Sequence, residues 1–487
     1  MARLNGSKQD RRRKVPRELI DFLERLREEM PNSLLEVDKE IDSKFEITAF
    51  LRKLEGRGKY PVVLFNNVKN LQGIGGNRVI TNVTADRKMI AMAIGLRAHE
   101  WRERLTVEFG KKAEKRRMKP VLIDKKEAPA KEIIKMGEKM DLREFPFIYH
   151  HEMDGNPYGT MLVITKKPDD LGYNLSYHRT MFKDSKRTGI HMSPFHTRRI
   201  FNDHEEKGEP TPVIMVYGHH PGFNLAGIFM SPWPWDEYEV AGSFLEEPLR
   251  LTSSETWGSN FLVPADAEII VEGEIQPHIR EPEGPFGEWT GYYGPQRQNP
   301  VIEIKAITHR KNYIWYDTDI GHIDHPGIGW EAEIYRRVND VLPGIVKAVY
   351  NPPSGRGGFH VYISIKKMSE GMPSIAACAA QTVGYPKLII VVDEDIDAYN
   401  ESEVLFAVAT RFQGDQGLTI LKDIRGSMLD PSMAELNTHS SVFINATKPY
   451  GMAFSERVKV PDEVMRKINL EKFLAEEEIA NVPSPNF

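Results

Sequence analysis

TPVIMVYG, residues 211–218, is a short run of β-forming residues that ends at a glycine. Similar runs lie between residues 120 and 320, and glycine, proline and asparagine turns separate them. They are PVLID (120–124), TMLVITKK (160–167), EIIVEGEI (268–275), VIEIKAITHR (301–310) and NYIWYDTDI (312–320). Short strands at this spacing are typical of an all-β barrel or sandwich. We therefore predict a β domain over residues 121–325.

The segments on either side of this β-rich region mix helices with strands. Residues 1–120 combine the helical pattern RELIDFLERLREEM (17–30) with the apolar run YPVVLFNNV (60–68), which indicates an N-terminal α/β domain. Residues 326–460 alternate helical patterns with the continuously apolar KLIIVV (387–392), which is typical of a strand buried on both faces. The chain is therefore predicted to be a multidomain protein of the α+β or α/β class.

The last segment, residues 461–487, contains the amphipathic pattern DEVMRKINLEKFLAEEEIA (462–480). Its apolar residues recur at helical spacing, so we predict one C-terminal helix. We expect this helix and tail to pack on another subunit.

Composition excludes several classes of protein. Lysine and arginine total 65 and aspartate and glutamate 70, so the net charge of −5 does not favour nucleic-acid binding. The single cysteine, Cys378, excludes an intramolecular disulfide and cysteine-rich metal sites. Its apolar neighbours predict a buried, inert thiol. No apolar run is long enough to span a membrane, and the N-terminus lacks the apolar region of a signal peptide, so we expect a cytoplasmic protein.

The most informative stretch is EPEGPFGEWTGYYG, residues 281–294. Glu283 and Glu288 lie five positions apart, and the glycines and proline between them disfavour a regular helix or strand. A tight loop can turn both carboxylates into one cavity. Neighbouring carboxylates tend to separate their pKa values, which leaves one ionised and one able to carry a proton. The alternative is a surface turn with two solvated glutamates.

A second stretch, LGYNLSYHRTMFKDSKRTGIHMSPFHTRRI, provides Asn174 and His196, and WPWDEYEVAG provides Glu237. These residues form a mixed nitrogen and oxygen set that suits Mg²⁺ or Mn²⁺ holding a phosphate. His196 could instead be a hydrogen-bonded core histidine. The adjacent histidine pairs at 150–151 and 219–220 are weaker candidates for metal ligands, because neighbouring side chains in a strand point to opposite faces.

Four sequence features occur together in this chain: EGPFGEWTGYYG, Asn-x₄-Arg followed by Pro-x-His, DEYEVAG, and LIIVVDEDIDAYNESEVLFAVATRF. The combination closely resembles the UbiD family of decarboxylases, over roughly residues 15–450. The resemblance implies an enzyme that uses prenylated FMN to add or remove CO₂ on unsaturated or aromatic acids. It also implies an N-terminal α/β domain, a split β-barrel cofactor domain and a C-terminal α/β domain.

The resemblance assigns roles to individual residues. An acid–arginine–acid constellation falls on Glu283, Arg179 and Glu288. Arg179 is expected to pair with Glu283 and hold the substrate carboxylate, and Glu288 to deliver the proton that replaces CO₂. The metal and phosphate site, for Mn²⁺ or Mg²⁺ with K⁺ as a further candidate, falls on Asn174, His196 and Glu237. The resemblance also places Arg179 beside the flavin, together with Tyr177, His178, Met230 and Ser231.

Two positions depart from the family pattern. Ser441 stands where many members carry a lysine near the cofactor phosphate, and the 230–236 loop is shorter than in some relatives. The phosphate contacts at these two places are therefore open.

His322 and His325, in TDIGHIDHPGIGW, are predicted to reach the substrate pocket. A histidine there could accept a hydrogen bond from a phenolic hydroxyl, which favours a hydroxybenzoate-type acid. The alternative for such a histidine is the cap of a turn. We expect a homo-oligomer, a dimer or a dimer-based hexamer, and a flavin prenyltransferase as the source of the cofactor.

Other functions stay open at the level of sequence. The chain could be a non-catalytic subunit of an aryl carboxylase or decarboxylase complex, or a metal-dependent hydrolase. It could also be a decarboxylase of an acrylic, heteroaromatic or polyprenyl-hydroxybenzoate substrate.

Overall fold

The computed structural model describes residues 18–193, 195–318, 324–433 and 438–482. The chain divides into a large unit that ends at Thr447 and a small unit that begins at Lys448. None of the described helices is long and apolar enough to cross a lipid bilayer.

The N-terminal part of the large unit combines four α-helices with a small mixed sheet. The helices are α1 (Leu19–Glu29), α2 (Glu46–Glu55), α3 (Arg87–Ala93) and α4 (Trp101–Lys115). The strands are β1 (Leu34–Val37), β2 (Ile41–Asp42), β3 (Val62–Lys69) and β4 (Asn77–Thr81). Strand β3 pairs in parallel with β1 and β2 and antiparallel with β4. The apolar side chains of α1 recur at helical spacing and are buried, as the sequence predicted.

The central segment is rich in strands. They are β5 (Val121–Leu122), β6 (Ile133–Met136), β7 (Tyr158–Lys166), β8 (Tyr173–Asp184), β9 (Arg187–Ile190), β10 (Thr211–Val216), β11 (Arg250–Ser254), β12 (Gly258–Pro264), β13 (Ile269–Glu283), β14 (Phe286–Gly287), β15 (Tyr293–Gly294), β16 (Arg297–His309) and β17 (Trp315–Tyr316). Its helices are α5 (His196–Glu205), α6 (Pro221–Ala226) and α7 (Glu237–Leu245).

Six of these strands close into an antiparallel barrel, in the order β13, β10, β7, β8, β9 and β16, with β16 pairing back to β13. Strand β6 extends the sheet beside β16. The prediction of a barrel is confirmed, but two of the predicted runs lie elsewhere. PVLID contributes β5 to a separate sheet with β11 and β12, and NYIWYDTDI contributes β17, which pairs with β4 of the N-terminal sheet. Each of these two strands has only two residues, so its sequence does not determine the sheet with which it pairs.

The C-terminal part of the large unit is a second α/β layer. Its helices are α8 (Asp324–Val341), α9 (Met372–Gln381), α10 (Glu401–Arg411) and α11 (Gly414–Gly417). Its strands are β18 (Val346–Tyr350), β19 (His360–Ile365), β20 (Leu388–Asp393), β21 (Leu418–Arg425) and β22 (Thr438–Ala446). The sheet order is β18, β19, β20, β22 and β21, and the three middle strands are parallel. The apolar run in β20 is buried between two parallel neighbours, as predicted.

The predicted burial of Cys378 is wrong. The residue lies on α9 and its side chain is exposed. Ala376, Ala377 and Ala380 form the buried face of this helix, and the helical rotation of 100° per residue turns position 378 away from them. An apolar composition alone does not show which face a helix buries.

The small unit contains α12 (Asp462–Lys467) and α13 (Glu476–Ala480), with a single 3₁₀ turn at Leu470–Lys472 between them. The prediction of one continuous terminal helix is therefore wrong. Ile468 has extended backbone angles, and the Asn469 side chain accepts a hydrogen bond from the Glu471 N–H, so the chain stops and restarts there.

Candidate active site

Arg179 and Glu283 form a bidentate ion pair inside the protein. Arg179 lies on β8 and Glu283 is the last residue of β13, 104 positions later in the chain. The Nε and Nη2 atoms of Arg179 donate to Glu283 Oε1 and Oε2 at 2.9 and 3.0 Å. The two side chains are 5% and 0% exposed, so water screens the pair little.

Glu288 contacts the same guanidinium at Nη1. The glutamate follows the short strand β14, and its main-chain N–H donates to the Tyr292 carbonyl. Gly284 makes the turn between the two glutamates with a φ of +95°, which other residues rarely adopt. The loop is more regular than predicted, because Phe286–Gly287 pairs as a strand, but it does bring both carboxylates onto one arginine.

The charge of Arg179 decides the ionisation of Glu283. Burial raises the pKa of Glu283, but the positive charge and hydrogen bonds of Arg179 more than offset it. Asn299 adds a hydrogen bond from its Nδ2 to Glu283 Oε2 at 2.8 Å. The net pKa of Glu283 lies below its ordinary value, so this carboxylate is ionised at neutral pH.

A cavity of about 1170 Å³ lies beside this cluster. Residues of the barrel and of the C-terminal α/β layer line it together. The predicted cofactor residues that line it are Asn174, Tyr177, His178, His196, Met230, Ser231 and Glu237. Arg179 is not a lining residue, but its partner Glu283 is hydrogen-bonded to Asn299, which does line the cavity.

Asn174, His196 and Glu237 lie at one end of this cavity. Glu237 begins α7, and its Oε1 lies 3.6 Å from His196 Nδ1 at the start of α5. Its Oε2 accepts the Leu175 N–H at 2.6 Å, which fixes the carboxylate. Asn174 donates its Nδ2 to Thr197, so the amide oxygen is the atom left for a cation. One nitrogen and two oxygen donors from three elements suit Mn²⁺ or Mg²⁺.

Lys167 is a buried cation that the sequence analysis missed. Its Nζ donates to the carbonyls of Tyr173, at 2.7 Å, and of Trp235, and lies 3.6 Å from Glu237 Oε1. Burial lowers the pKa of Lys167 against the attraction of Glu237. The run TMLVITKK indicates a strand that ends in two solvated lysines, and only the packing of α7 against β8 encloses the second one.

His191 and Asn299 are also missed by sequence reasoning. Asn299 Nδ2 lies 3.2 Å from His191 Nδ1, and both residues line the cavity. His191 carries an additional contact through its carbonyl, which lies 2.8 Å from His178 Nδ1. Burial lowers the pKa of His178 to about 4. No local motif marks either His191 or Asn299, because their importance depends on β9 and β16 being neighbours.

The other predicted histidines fall in two groups. His322 lies outside the described residues, as does the side chain of His325, so their roles stay predictions. Of the adjacent pairs, His150 pairs with Asp317, and His219 and His220 are fully buried. Within the described ranges, no cluster of three or more histidine, cysteine, aspartate or glutamate side chains could hold a metal.

Ser441, the position of the expected lysine, is not part of the cavity wall. Ser441 lies on β22, where its side chain is buried and its Oγ donates to the Pro386 carbonyl at 2.7 Å. The arginines that line the cavity are Arg198, Arg297, Arg336, Arg337 and Arg425. In the 230–236 loop, Trp233 packs edge-on against His196 with ring centres 5.3 Å apart.

Aromatic rings line the cavity where the barrel domain meets the C-terminal layer. Trp289, next to Glu288, packs against Trp330 of α8, with ring centres 5.4 Å apart. Trp330 in turn packs against Tyr385 at 5.3 Å. All three line the cavity, so a flat ring system entering it meets aromatic surface.

A closed barrel with an acid–arginine–acid cluster beside a large cavity is the arrangement that the resemblance to the UbiD family implies, and comparisons with known proteins agree. Models of the 3-octaprenyl-4-hydroxybenzoate carboxy-lyase match residues 24–106 (N-terminal domain), 121–323 (Rift-related domain) and 327–446 (C-terminal domain). The chain is 32% identical to anhydromevalonate phosphate decarboxylase from Methanothermobacter thermautotrophicus, over 89% of this chain and 97% of the relative. It is 28% identical to phenolic acid decarboxylase from Sedimentibacter hydroxybenzoicus, over 90% and 92%.

A similar solved structure is that of the UbiD-class enzyme HmfF from Pelotomaculum thermopropionicum in complex with FMN. It shares 33% identity and a TM-score of 0.86, over 94% of this chain and all 100% of that one. An evolved dimeric form of HmfF, in complex with prenylated FMN, has a TM-score of 0.82. The chain belongs to the UbiD family and is a carboxy-lyase, that is, a decarboxylase, of that family.

Proposed function

We propose that this protein is a reversible, non-oxidative decarboxylase of an aromatic carboxylic acid, with a hydroxylated ring as the preferred class, and that it uses prenylated FMN. The observation that carries this proposal is the buried Arg179–Glu283 pair, with Glu288 on the same guanidinium, beside a cavity with an aromatic wall. Because three ionisable groups are enclosed together, a purely structural role for them would be costly.

The cavity residues fit the cofactor and its metal. Asn174, His196 and Glu237 would hold one Mn²⁺ or Mg²⁺ against the flavin phosphate, and Lys167 already places a positive charge beside Glu237. When bound, the prenylated flavin supplies the electron sink that decarboxylation needs and that no side chain offers. A second cation such as K⁺ stays a candidate at the same end.

The protein's own groups divide the work between them. Arg179, fixed by Glu283, would bind the substrate carboxylate with the guanidinium protons that its two glutamates leave free. Glu288 would deliver a proton to the carbon that loses CO₂, and take it back in the carboxylation direction. The rings of Trp289, Trp330 and Tyr385 would hold the substrate and exclude water.

An acid that carries a second anionic group is the other candidate substrate. Arg297 and Arg425 line the cavity, and no ion pair of either arginine is found within the described part of the chain. Two such cations would suit a phosphate or a second carboxylate. A relative with 32% identity is a decarboxylase of anhydromevalonate phosphate, which also supports this alternative.

Incubation of cofactor-loaded protein with a panel of acids tests the proposal. The protein would be produced with a flavin prenyltransferase, and headspace CO₂ measured against hydroxybenzoates, benzoate, a furan carboxylate and a phosphorylated enoic acid. We expect the highest kcat/KM with a hydroxybenzoate and no CO₂ from protein lacking the flavin. CO₂ from the phosphorylated acid alone would favour the second candidate, and CO₂ from none of them would favour a non-catalytic subunit.

The cellular setting follows the same proposal. We infer a cytoplasmic homo-oligomer. The compartment follows from the cofactor, because the site can act only where the modified flavin is supplied. Several apolar side chains of the small unit are exposed, among them Met465 and Phe473, at 61% and 67%, which is consistent with a partner surface. Light scattering of the purified protein would give the subunit number.

A further inference from the structure

Asn299 connects the Arg179–Glu283 pair to His191 on the cavity wall. Asn299 lies on β16 and is 5% exposed, and His191 directly follows β9. The Asn299 amide nitrogen donates to Glu283 Oε2 at 2.8 Å and lies 3.2 Å from His191 Nδ1. An amide nitrogen carries two protons, so both are directed at acceptors in this arrangement.

The orientation of this amide is fixed by charge. Glu283 is ionised by Arg179 and can only accept hydrogen bonds, so the amide nitrogen rather than the amide oxygen must face it. The second N–H of Asn299 then points at His191 Nδ1, which must be the unprotonated nitrogen. A proton on Nδ1 would set two donors against each other at 3.2 Å.

His191 is therefore neutral, with its proton on Nε2. Burial and the nearby charge of Arg179 lower the pKa of His191 to about 3, in agreement with the geometry. Nε2 lies on the other side of the ring from Asn299, and it forms no hydrogen bond to the residues that the structure describes. The ring thus presents a neutral N–H donor at the wall of the cavity.

We propose that the His191 Nε2–H binds a carboxylate oxygen of the acid substrate beside Arg179. This proposal rests on the proposed decarboxylase function. Two glutamates already contact the guanidinium of Arg179, so a further hydrogen-bond donor would increase the affinity for the substrate carboxylate. Because this donor is neutral, it leaves the net charge of the acid–arginine–acid cluster unchanged. His191 belongs to the hydrogen-bonded chain that ends at Arg179, whereas the expected flavin phosphate site lies around Glu237.

The tautomer is tested without cofactor or substrate. Two-bond ¹H–¹⁵N spectra of ¹⁵N-histidine-labelled, flavin-free protein, with His191→Gln to identify the signals, should show a neutral ring protonated at Nε2 near pH 7. In Asn299→Ala the ring should become a mixture of tautomers. A ring protonated at Nδ1, or at both nitrogens, in the unmodified protein would overturn the proposal.

Substrate binding is tested with two variants of the same position. His191→Leu removes the donor and His191→Gln retains an N–H. With the best acid of the panel and cofactor-loaded enzyme, His191→Leu should raise KM by at least about 10-fold, the lower end of what one hydrogen bond to a charged group contributes. His191→Gln should stay within about 3-fold, and FMN affinity, followed by flavin fluorescence, should change by less than about 2-fold in both.

Each contrary result has a distinct meaning. Equal KM values in His191→Leu and the unmodified enzyme would overturn substrate binding, and so would a parallel loss of FMN affinity, which would assign the donor to the cofactor. His99→Leu, at an exposed position outside the cavity, is the control. If the loaded protein released CO₂ from no acid, the proposed function would fail and the substrate role of His191 with it, whereas the NMR result would still decide the hydrogen-bonded chain.

Discussion

One charged group, around Arg179, lies beside the cavity, and another, around Glu237, lines it; these two ends of the site are built differently. At the Arg179 end, the ion pair closes at 2.9 and 3.0 Å with both partners buried. At the Glu237 end, the nearest approaches of His196 and Lys167 to the carboxylate are 3.6 Å. At the first end, Arg179 and Glu283 neutralise each other, so this pair needs no ligand to hold its geometry. At the second end the contacts to Glu237 Oε1 are longer, as expected if the proposed cation completes the site.

The two ends also differ in what their function requires: fixed positions at the Arg179 end and free ligand atoms at the Glu237 end. Residues that act on a proton benefit from fixed positions, because misplacement by one ångström weakens the reaction. Metal ligands tolerate looser positions in the absence of the cation, because coordination draws them together. Substitutions at the Arg179 end should therefore affect stability and turnover, and substitutions of the proposed metal ligands at the Glu237 end should affect occupancy.

The largest effect is expected from Glu283→Gln. The change keeps the shape but removes the counter-charge of Arg179, and breaking a buried pair costs about 3 kcal/mol of unfolding free energy. Because the pKa of Glu283 is lowered in the folded protein, its contribution is fully present above the unfolded glutamate pKa, about 4.3, and is lost as the pH falls through the lower folded value. Urea unfolding at pH 7 and below pH 4 measures the difference.

Glu281→Gln is the matched control for this change, because Glu281 lies on the same strand with 29% of its side chain exposed. Its carboxylate pairs with Lys183 and Arg187 near the surface, so the unfolding free energy should fall by no more than about 1 kcal/mol. A loss equal to that of Glu283→Gln would show that the Arg179 end is not the rigid one.

Glu288→Gln should lower turnover by at least about 10²-fold, because the amide cannot deliver a proton. NMR in D₂O with cofactor-loaded protein should show that solvent exchange at the product carbon disappears. Glu281→Gln again serves as control and should exchange at the normal rate. If Glu288→Gln exchanged at the normal rate too, the proton would come from another group.

Lys167→Met should lower the unfolding free energy by about 2 kcal/mol, because the Tyr173 and Trp235 carbonyls lose their buried donor. Lys166→Met is the control, since the adjacent lysine side chain is 34% exposed, and its effect should stay within about 0.5 kcal/mol. Similar results for the two variants would mean that Lys167 does not organise the Glu237 end.

Glu237→Ala should weaken Mn²⁺ binding by at least about 10-fold and reduce flavin occupancy with it. Titration calorimetry with Mn²⁺ and mass spectrometry of the released cofactor measure both quantities. Glu239→Ala, two positions along the same helix and paired with Arg117, should bind the metal normally. Full metal and flavin occupancy in Glu237→Ala would remove Glu237 from the ligand set.

The smallest effect is expected from His325→Ala. If this histidine binds a ring hydroxyl, kcat/KM should fall about 2- to 13-fold more with a hydroxylated acid than with its unsubstituted analogue, which corresponds to about 0.5–1.5 kcal/mol for one neutral hydrogen bond. Equal losses with both acids would leave the histidine a structural role only.

The sequence by itself determined the order of the domains and marked the two glutamates of the candidate active site. Period-two and apolar runs predict the strands of the barrel and of the C-terminal sheet, and the loop from 281 to 294 marks both glutamates. These features are local, so they can be recognised without knowing which strands pair. The family resemblance then linked Arg179 to those glutamates across 104 positions.

Only the tertiary structure decided which distant residues meet. The closure of β16 onto β13, and of β9 onto β16, brings Asn299 to both Glu283 and His191. The packing of α7 against β8 encloses Lys167 beside Glu237, and the rotation of α9 exposes Cys378. Such outcomes depend on register and rotation between elements, and a chain's local pattern of apolar and polar residues records neither.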